Sequence, residues 1–287
     1  MTSPAGRLNA LMQSDQIIPL PGIYDAMSAR LLQQAGLPVA YLSGYCVSAA
    51  HLGLPDVGYL TMTEMLGVAR NVTSAVDIPV IVDGDDGYGN HLNVNRLVRE
   101  LEKIGVAGVQ IEDQVAPKRC GHMNGKRVVT KQLMLDKIAA FLDARQDSNF
   151  TLIARTDALA VNGYEDALDR ALSYQEAGAT VVFVEAPVSE EQVRDIAEKV
   201  TAPKVFNWAF GGKSPTFSAR FLQELGYKFV QCPDIIFPVA RILRNFYAEI
   251  AASGTYEKLT DQMVSFDEFN AMVGLDRVAE MDRKYGR

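Results

Sequence analysis

Val94-Asn-Arg-Leu97-Val98-Arg-Glu-Leu101-Glu-Lys-Ile104-Gly105-Val-Ala-Gly-Val109-Gln-Ile111-Glu112-Asp113 runs from a helix into a strand. Val94, Leu97, Val98, Leu101 and Ile104 fall on one apolar helical face. Gly105 stands where a helix C-cap needs a left-handed residue. Gly108–Glu112 then reads as a buried strand ending in a carboxylate. The same turn recurs at Ala35-Gly36-Leu-Pro-Val39-Ala-Tyr41, at Ala177-Gly178-Ala-Thr-Val181-Val182 and at Leu225-Gly226-Tyr-Lys-Phe229-Val230. Ile78-Pro-Val-Ile-Val82 and Pro203-Lys-Val-Phe206 read as further strands, with proline confined to their starts. Thr151-Leu-Ile-Ala154 and Gln16-Ile-Ile-Pro-Leu20 complete the set. Strands are expected near 16–20, 39–43, 78–83, 107–112, 150–155, 180–185, 203–207 and 228–231.

Amphipathic helices lie between them. Ser189-Glu-Glu-Gln192 is a capping box ahead of Val193, Ile196, Ala197 and Val200, and Pro215 sits near the start of another helix. Apolar strands alternating with helices predict an α/β fold whose parallel sheet is buried on both faces. Eight such units fit a (β/α)8 TIM barrel better than an open doubly wound sheet, because no Gly-x-Gly-x-x-Gly follows an early strand. The reading is a single barrel domain over 1–287. Residues 263–287 form a C-terminal oligomerisation segment, since Met263, Phe266, Phe269, Met272, Val273, Leu275, Val278 and Met281 are too apolar for a free tail.

Composition narrows the function. The 287 residues carry a net charge of −7, the wrong sign for gripping a phosphate backbone, so no nucleic-acid partner is expected. Three widely spaced cysteines, Cys46, Cys120 and Cys232, argue for a reducing compartment and against a disulfide framework. Met1–Arg7 lacks the apolar core of a signal peptide, and no apolar run approaches the ~18 residues of a membrane span. The expected location is cytoplasmic, with no membrane partner.

In a parallel barrel the chemistry gathers at the C-terminal ends of the strands. Here those ends read Ser43-Gly44-Tyr45, Asp83-Gly-Asp85-Asp86, Glu112-Asp113, Arg155-Thr-Asp157, Glu185 and Asn207. Alternation puts Asp83 and Asp85 on one side of the chain, and Glu112 joins them from the next strand. Three carboxylates facing one space need protons or a cation between them. Oxygen-only ligands suit Mg²⁺ or Mn²⁺, and Mg²⁺ keeps several waters. The plain alternative is a carboxylate set paired to Arg155. A hard cation beside Ser43 and Arg155 suits a small oxo-acid anion, with Arg155 gripping a carboxylate.

Between Glu112 and Thr130, which reads as a helix N-cap, lie about 17 residues, roughly three times the usual loop. They include Lys118, Arg119, Cys120, His122, Lys126 and Arg127, with Gly121 and Gly125 as possible hinges. A thiol among cations should ionise below the ordinary ~8.5. Cys120 on this mobile loop would move a proton as a lid closes.

Asp83-Gly-Asp-Asp-Gly-Tyr-Gly-Asn90, Ile111-Glu-Asp-Gln114, Pro117-Lys-Arg-Cys-Gly-His122 and Ala154-Arg-Thr-Asp157 together resemble the isocitrate lyase/phosphoenolpyruvate mutase superfamily. Tyr24–Ala29, Gly53-Leu-Pro-Asp56 and Gly211-Gly-Lys-Ser-Pro215 extend the likeness over nearly the whole chain. The resemblance implies a barrel whose last helix is exchanged between subunits, usually in a homotetramer. It implies Mg²⁺ held directly by Asp83 and through water by Asp85 and Glu112. Ser43, Gly44 and Tyr45 would bind the oxo-acid, Arg155 would assist, and Asp56 shares the pocket; Gly121, His122, Glu185 and Asn207 are likewise assigned to the substrate. The Lys-Arg-Cys-Gly-His form is that of the lyase branch (methylisocitrate lyase and 2,3-dimethylmalate lyase). Those enzymes cleave a 2-substituted malate or isocitrate-like acid to a 2-oxo acid and a second carboxylate, with the cysteine, here Cys120, as general acid. A carboxyphosphonoenolpyruvate mutase-like or oxaloacetate hydrolase-type enzyme is the alternative, and a catalytically silent barrel is a third reading.

The sequence departs from the methylisocitrate lyases at several points. Pro238 falls where those enzymes place an arginine for the third carboxylate, Phe210 replaces a glutamate, Ser214 a threonine and Asp86 a small hydroxyl residue. Pro238 favours a smaller diacid over a tricarboxylate, and the changes together suggest an unusual substrate or weak activity on the common ones.

Overall fold

The computed structural model describes Thr2–Gly286. Eight parallel strands close a barrel in sequence order: β1 (Ile18–Ile23), β2 (Ala40–Leu42), β3 (Val80–Asp83), β4 (Gly108–Glu112), β5 (Thr151–Thr156), β6 (Val181–Val184), β7 (Lys204–Asn207) and β8 (Phe229–Cys232). The helices are α1 (Pro4–Met12), α2 (Ala26–Gln34), α3 (Gly44–Val47), α4 (Met62–Ala75), α5 (His91–Lys103), α6 (Lys131–Ala144), α7 (Leu159–Asn162), α8 (Tyr164–Glu176), α9 (Glu190–Lys199), α10 (Ala219–Glu224), α11 (Ile236–Ser253), α12 (Phe266–Met272) and α13 (Leu275–Tyr285). A π-helical turn, Ser48–Leu52, continues α3. The chain divides into two compact units, one ending at Asp234 and one beginning at Ile235. All eight strands lie in the first unit.

The expected (β/α)8 barrel is present. Its first strand is displaced and runs through Pro19 and Pro21 to Ile23, past the expected 16–20. The two prolines are tolerated because they are two residues apart. Ile18 N–H donates to Lys228 O, so by alternation both missing N–H groups face β2, which β1 meets only from Gly22 onward. Pro215 lies just ahead of α10, which begins at Ala219 with Ser218 Oγ accepting the Phe221 N–H. Thr130 is the N-cap of α6, accepting from Leu133 N–H.

Strand alternation sorts the core into layers. Leu20, Tyr41, Ile81, Ile153, Phe183, Val205 and Phe229 fill the lumen, and Leu8 and Met12 of α1 join the same cluster beside Ile18, Val39 and Val181 at the N-terminal mouth. Val80, Val82, Val109, Ile111, Leu152, Ala154, Val182 and Val184 face outward onto α4, α5, α6 and α8. Each fully buried side chain of this size contributes about 1.5–3 kcal/mol. The same parity carries Ser43, Asp83, Arg155, Glu185 and Asn207 two residues above lumen-facing ones, onto the C-terminal rim.

In the second unit α11, α12 and α13 contain no buried residue. Ile242, Leu243, Tyr247, Phe266, Leu275, Val278 and Met281 are among its exposed large apolar side chains.

Candidate active site

The first half of the site is acidic. Asp83 ends β3 beneath Gly44: the Gly44 N–H donates to Asp83 Oδ2 at 3.1 Å, and the Asp85 N–H donates to Asp83 Oδ1 at 3.1 Å. A Cβ at position 44 would lie 2.9 Å from Asp83 Oδ2 and 3.2 Å from Asp85 Oδ1, so a larger residue would displace the Asp83 carboxylate. Asp85 has a positive φ of 48°, a strained pose for a non-glycine residue that functional loops tolerate. Burial pushes the Asp85 carboxyl up to about 7, with Lys118 opposing and Asp83 and Asp56 adding to the rise. Glu112 is raised well above the usual carboxylate range, first by burial and against the pull of Arg155. Its Oε1 is buried with no hydrogen-bond partner.

Among the described residues, no three His, Cys, Asp or Glu side chains are grouped so as to hold a metal ion by themselves. An all-oxygen set with one orphaned, buried carboxylate oxygen nonetheless fits a hard divalent cation that retains much of its water.

Lys118 was expected beside the thiol and is not there. It is turned into the acidic pocket, where its Nζ lies 2.6 Å from Asp56 Oδ1 and 2.8 Å from Asp85 Oδ1. The other cations of the loop are also dispersed. Lys126 reaches Asp157 at 2.9 Å, while Arg119 and Arg127 are exposed. The expected lowering of the Cys120 pKa is therefore corrected: burial pushes the thiol up to about 11, reinforced by Asp56 and Glu185 and only partly offset by the His122 backbone and Arg155. Near neutral pH the proton stays on sulfur.

The loop is ordered by a backbone bridge, by the Gln114 side chain and by the neighbouring Asp56 carbonyl. Gln114 and Val128 form an antiparallel bridge, and Gln114 both donates to Arg119 O at 2.8 Å and accepts the Arg119 N–H at 2.9 Å. The Cys120 N–H donates to Asp56 O at 3.1 Å. Ser48 Oγ in turn donates to Leu54 O and Pro55 O, fixing the segment that presents Asp56.

The second half of the site is built on Arg155. The Asp157 carboxylate accepts two hydrogen bonds from it, from Nε at 2.9 Å and Nη2 at 3.1 Å. Glu112 lies 3.3 Å from Nε and Glu185 3.2 Å from Nη2. Burial works against the Glu185 charge, yet Arg155 and His122 hold this carboxyl well below the usual range. The Lys213 N–H donates to His122 Nδ1 at 3.2 Å, and His122 Nε2 lies 3.3 Å from Glu185 Oε1. Asn207 Nδ2 lies 3.3 Å from Glu185 Oε2. Ser43 is the N-cap of α3, accepting from the Cys46 N–H, with Tyr45 in the same short helix. Gly121 packs on Arg155 and Glu185: a Cβ there would lie 2.8 Å from Glu185 Oε2 and closer still to Arg155 Nη2, so one of them or the loop would have to shift.

Residues 8–251 match the family described as phosphoenolpyruvate phosphomutase. The 2,3-dimethylmalate lyase of Eubacterium barkeri is 40% identical over 282 residues, 98% of each chain. The chain belongs to the phosphoenolpyruvate mutase/isocitrate lyase superfamily. Among solved structures, an oxaloacetate acetylhydrolase in complex with the inhibitor 3,3-difluorooxalacetate superposes with a TM-score of 0.94 at 30% identity, covering 99% of this chain and 98% of that one. A phosphonopyruvate hydrolase in complex with oxalate and Mg²⁺ does so with a TM-score of 0.89 at 26% identity, covering 99% and 100%. Close relatives of this chain are lyases, and the chain is a carbon–carbon lyase of the superfamily.

Two residues of the superfamily motifs have partners that the sequence did not disclose. Asp157 orients Arg155. Asp113, fully buried on the outward face, accepts from Thr156 Oγ1, the Asp157 N–H, Arg170 Nη1 and Tyr174 OH, bracing the end of β5. Their signal was parity: Asp157 is two residues beyond Arg155, and Asp113 is one beyond Glu112. Of the departures, Phe210 is 81% exposed, and Pro238 lies in the first turn of α11, where proline costs a helix little.

Proposed function

We propose that this lyase uses Mg²⁺, with Mn²⁺ as a substitute, to cleave a 2-substituted malate or a similar small diacid into a 2-oxo acid and a second carboxylate. The observation that carries this reading is the meeting of a set of carboxylates, one guanidinium and one free thiol on the same rim. Asp83, Asp85 and Glu112 would hold the cation, Asp83 directly. Once bound, it supplies a Lewis acid for the oxygen that becomes the 2-oxo group.

Ser43, Gly44 and Tyr45 line the oxo-acid side, with Asp56 behind them. Arg155, clamped by Asp157, grips a carboxylate with paired N–H donors. Glu185, His122 and Asn207 orient the other end of the substrate. The 2-hydroxyl gives up its proton to a carboxylate of the Asp83, Asp85 and Glu112 set as its oxygen becomes the 2-oxo group; the C–C bonding pair stays on the carbon next to the departing carboxylate, and Cys120 Sγ delivers its proton there. Gly121, packed on Arg155 and Glu185, lets the loop close tightly enough to exclude water. The exposed apolar side chains of α11–α13 support assembly with further copies, as a homotetramer.

The test is a panel of 2-alkylmalates, methylisocitrate, oxaloacetate and carboxyphosphonoenolpyruvate with Mg²⁺, read by 2-oxo-acid release. Turnover of a 2-alkylmalate, lost with EDTA or in Asp83→Ala together with weaker Mg²⁺ binding by calorimetry, is expected. Full activity in EDTA would remove the metal from the reading. The structural likeness to an oxaloacetate acetylhydrolase favours oxaloacetate hydrolysis as the second reading, and acetate release from oxaloacetate alone would put it first.

A further inference from the structure

Lys126 has no part in the chemistry above, yet its side chain is only 2% exposed. Its neighbours Gly125 and Arg127 are exposed, and Gly125 takes a φ of 81° at the turn just before it. An ammonium leaves water only where its charge and its donors are met. Lys126 Nζ donates to Gly121 O, in the loop, and at 2.9 Å to Asp157 Oδ1, above β5. That same Oδ1 accepts from Arg155 Nη2 at 3.1 Å. One ammonium thus touches the segment carrying Cys120 and the carboxylate that clamps the guanidinium.

Three carboxylates compete for Arg155: Asp157, with two hydrogen bonds, and Glu112 and Glu185, each at more than 3 Å. A loop lifted from the rim would take the Lys126 charge away from Asp157 and release Gly121 from the face of Arg155. We propose that Lys126 is a positioning residue, a buried latch that holds the Cys120-Gly121-His122 segment closed and sets the pose of Arg155 through Asp157 in the same act. The proton donor and the carboxylate grip are then assembled together. This inference rests on the reading of Cys120 as the proton donor, and its test separates the two.

Lys126→Met and Lys126→Gln are made in the full chain. The first readout needs no substrate: the rate at which iodoacetamide alkylates Cys120, followed by mass spectrometry of its peptide. The latch predicts acceleration in Lys126→Met on the order of tenfold as the closed population falls. The second readout is turnover of the accepted substrate. Here kcat should drop on the order of 10²-fold, the scale of a misplaced reacting group, while KM changes by less than about threefold, as expected for an interaction completed in the transition state. Lys126→Gln, which keeps one donor without the charge, should fall between the two on both readouts, and it decides the matter if the Met variant fails to fold. Wild-type alkylation and wild-type kcat in a folded variant would overturn the latch, whatever happens to its melting temperature. If Cys120→Ser kept normal turnover, the proton-donor reading would fall, while the alkylation result would still judge the latch.

Discussion

At the scale of single residues, the thiol shows how proximity along the chain differs from proximity in space. Cys120 follows Lys118 and Arg119 and precedes His122, but Lys118 is spent on Asp56 and Asp85 and Arg119 is in solvent. Burial dominates and the pKa rises to about 11. A general acid must hold its proton until the carbanion forms, so this shift serves the proposed role better than a thiolate would. Activity that depends on the protonated thiol is present below that pKa and lost as pH rises through it. The alkaline limb of kcat/KM should therefore lie well above the ordinary thiol value of ~8.5; a limb at or below that value, moved by Cys120→Ala, would contradict it. Cys120→Ser should keep the fold and lose turnover by about 10²–10⁴-fold, measured beside an unchanged circular dichroism spectrum.

At the scale of elements, the segment between β4 and α6 is a loop by length but not by order. Its base is bridged at Gln114 and Val128, and its tip is packed onto Arg155 and Glu185 at Gly121. Gly121→Ala tests that packing. The added methyl must displace either the tip or the Arg155 and Glu185 side chains it packs on, and kcat/KM should fall on the order of 10²-fold while the melting temperature stays within a few degrees, since the barrel core is untouched. Wild-type kinetics in this variant would mean that the closed pose is not the working one. The helix and strand signals around the loop were legible because they are local: the Gly105 cap, the Thr130 cap and the apolar face from Val94 to Ile104 depend on neighbours a few residues away. The first strand was misread at its end because tolerance of Pro19 and Pro21 depends on which edge β2 leaves unpaired, a fact no local pattern contains.

At the scale of the whole molecule, closure of the sheet in sequence order puts the ends of β2 to β7 around one rim, so residues as distant in sequence as Ser43 and Asn207 contribute to one site. The C-terminal segment poses a different question. Its helices bury none of their residues, and exposed apolar surface of this kind draws a partner. Light scattering should find the intact protein as an oligomer, and deletion of 263–287 should reduce it to smaller species. A monomeric intact protein would remove the homotetramer from the reading.

The amino-acid sequence by itself determined the alternation of strand and helix, the count of eight, the lumen-facing parity and hence the roster of rim residues, because all of these follow from short-range periodicity. It did not determine who pairs with whom on that rim. Only the folded chain turned Lys118 toward Asp85, gave Asp157 the task of clamping Arg155, enclosed Lys126 and pushed the Cys120 pKa up by burial. Those outcomes depend on burial and on charges brought together from different strands, and desolvation is a property of the assembled site that no stretch of sequence carries alone.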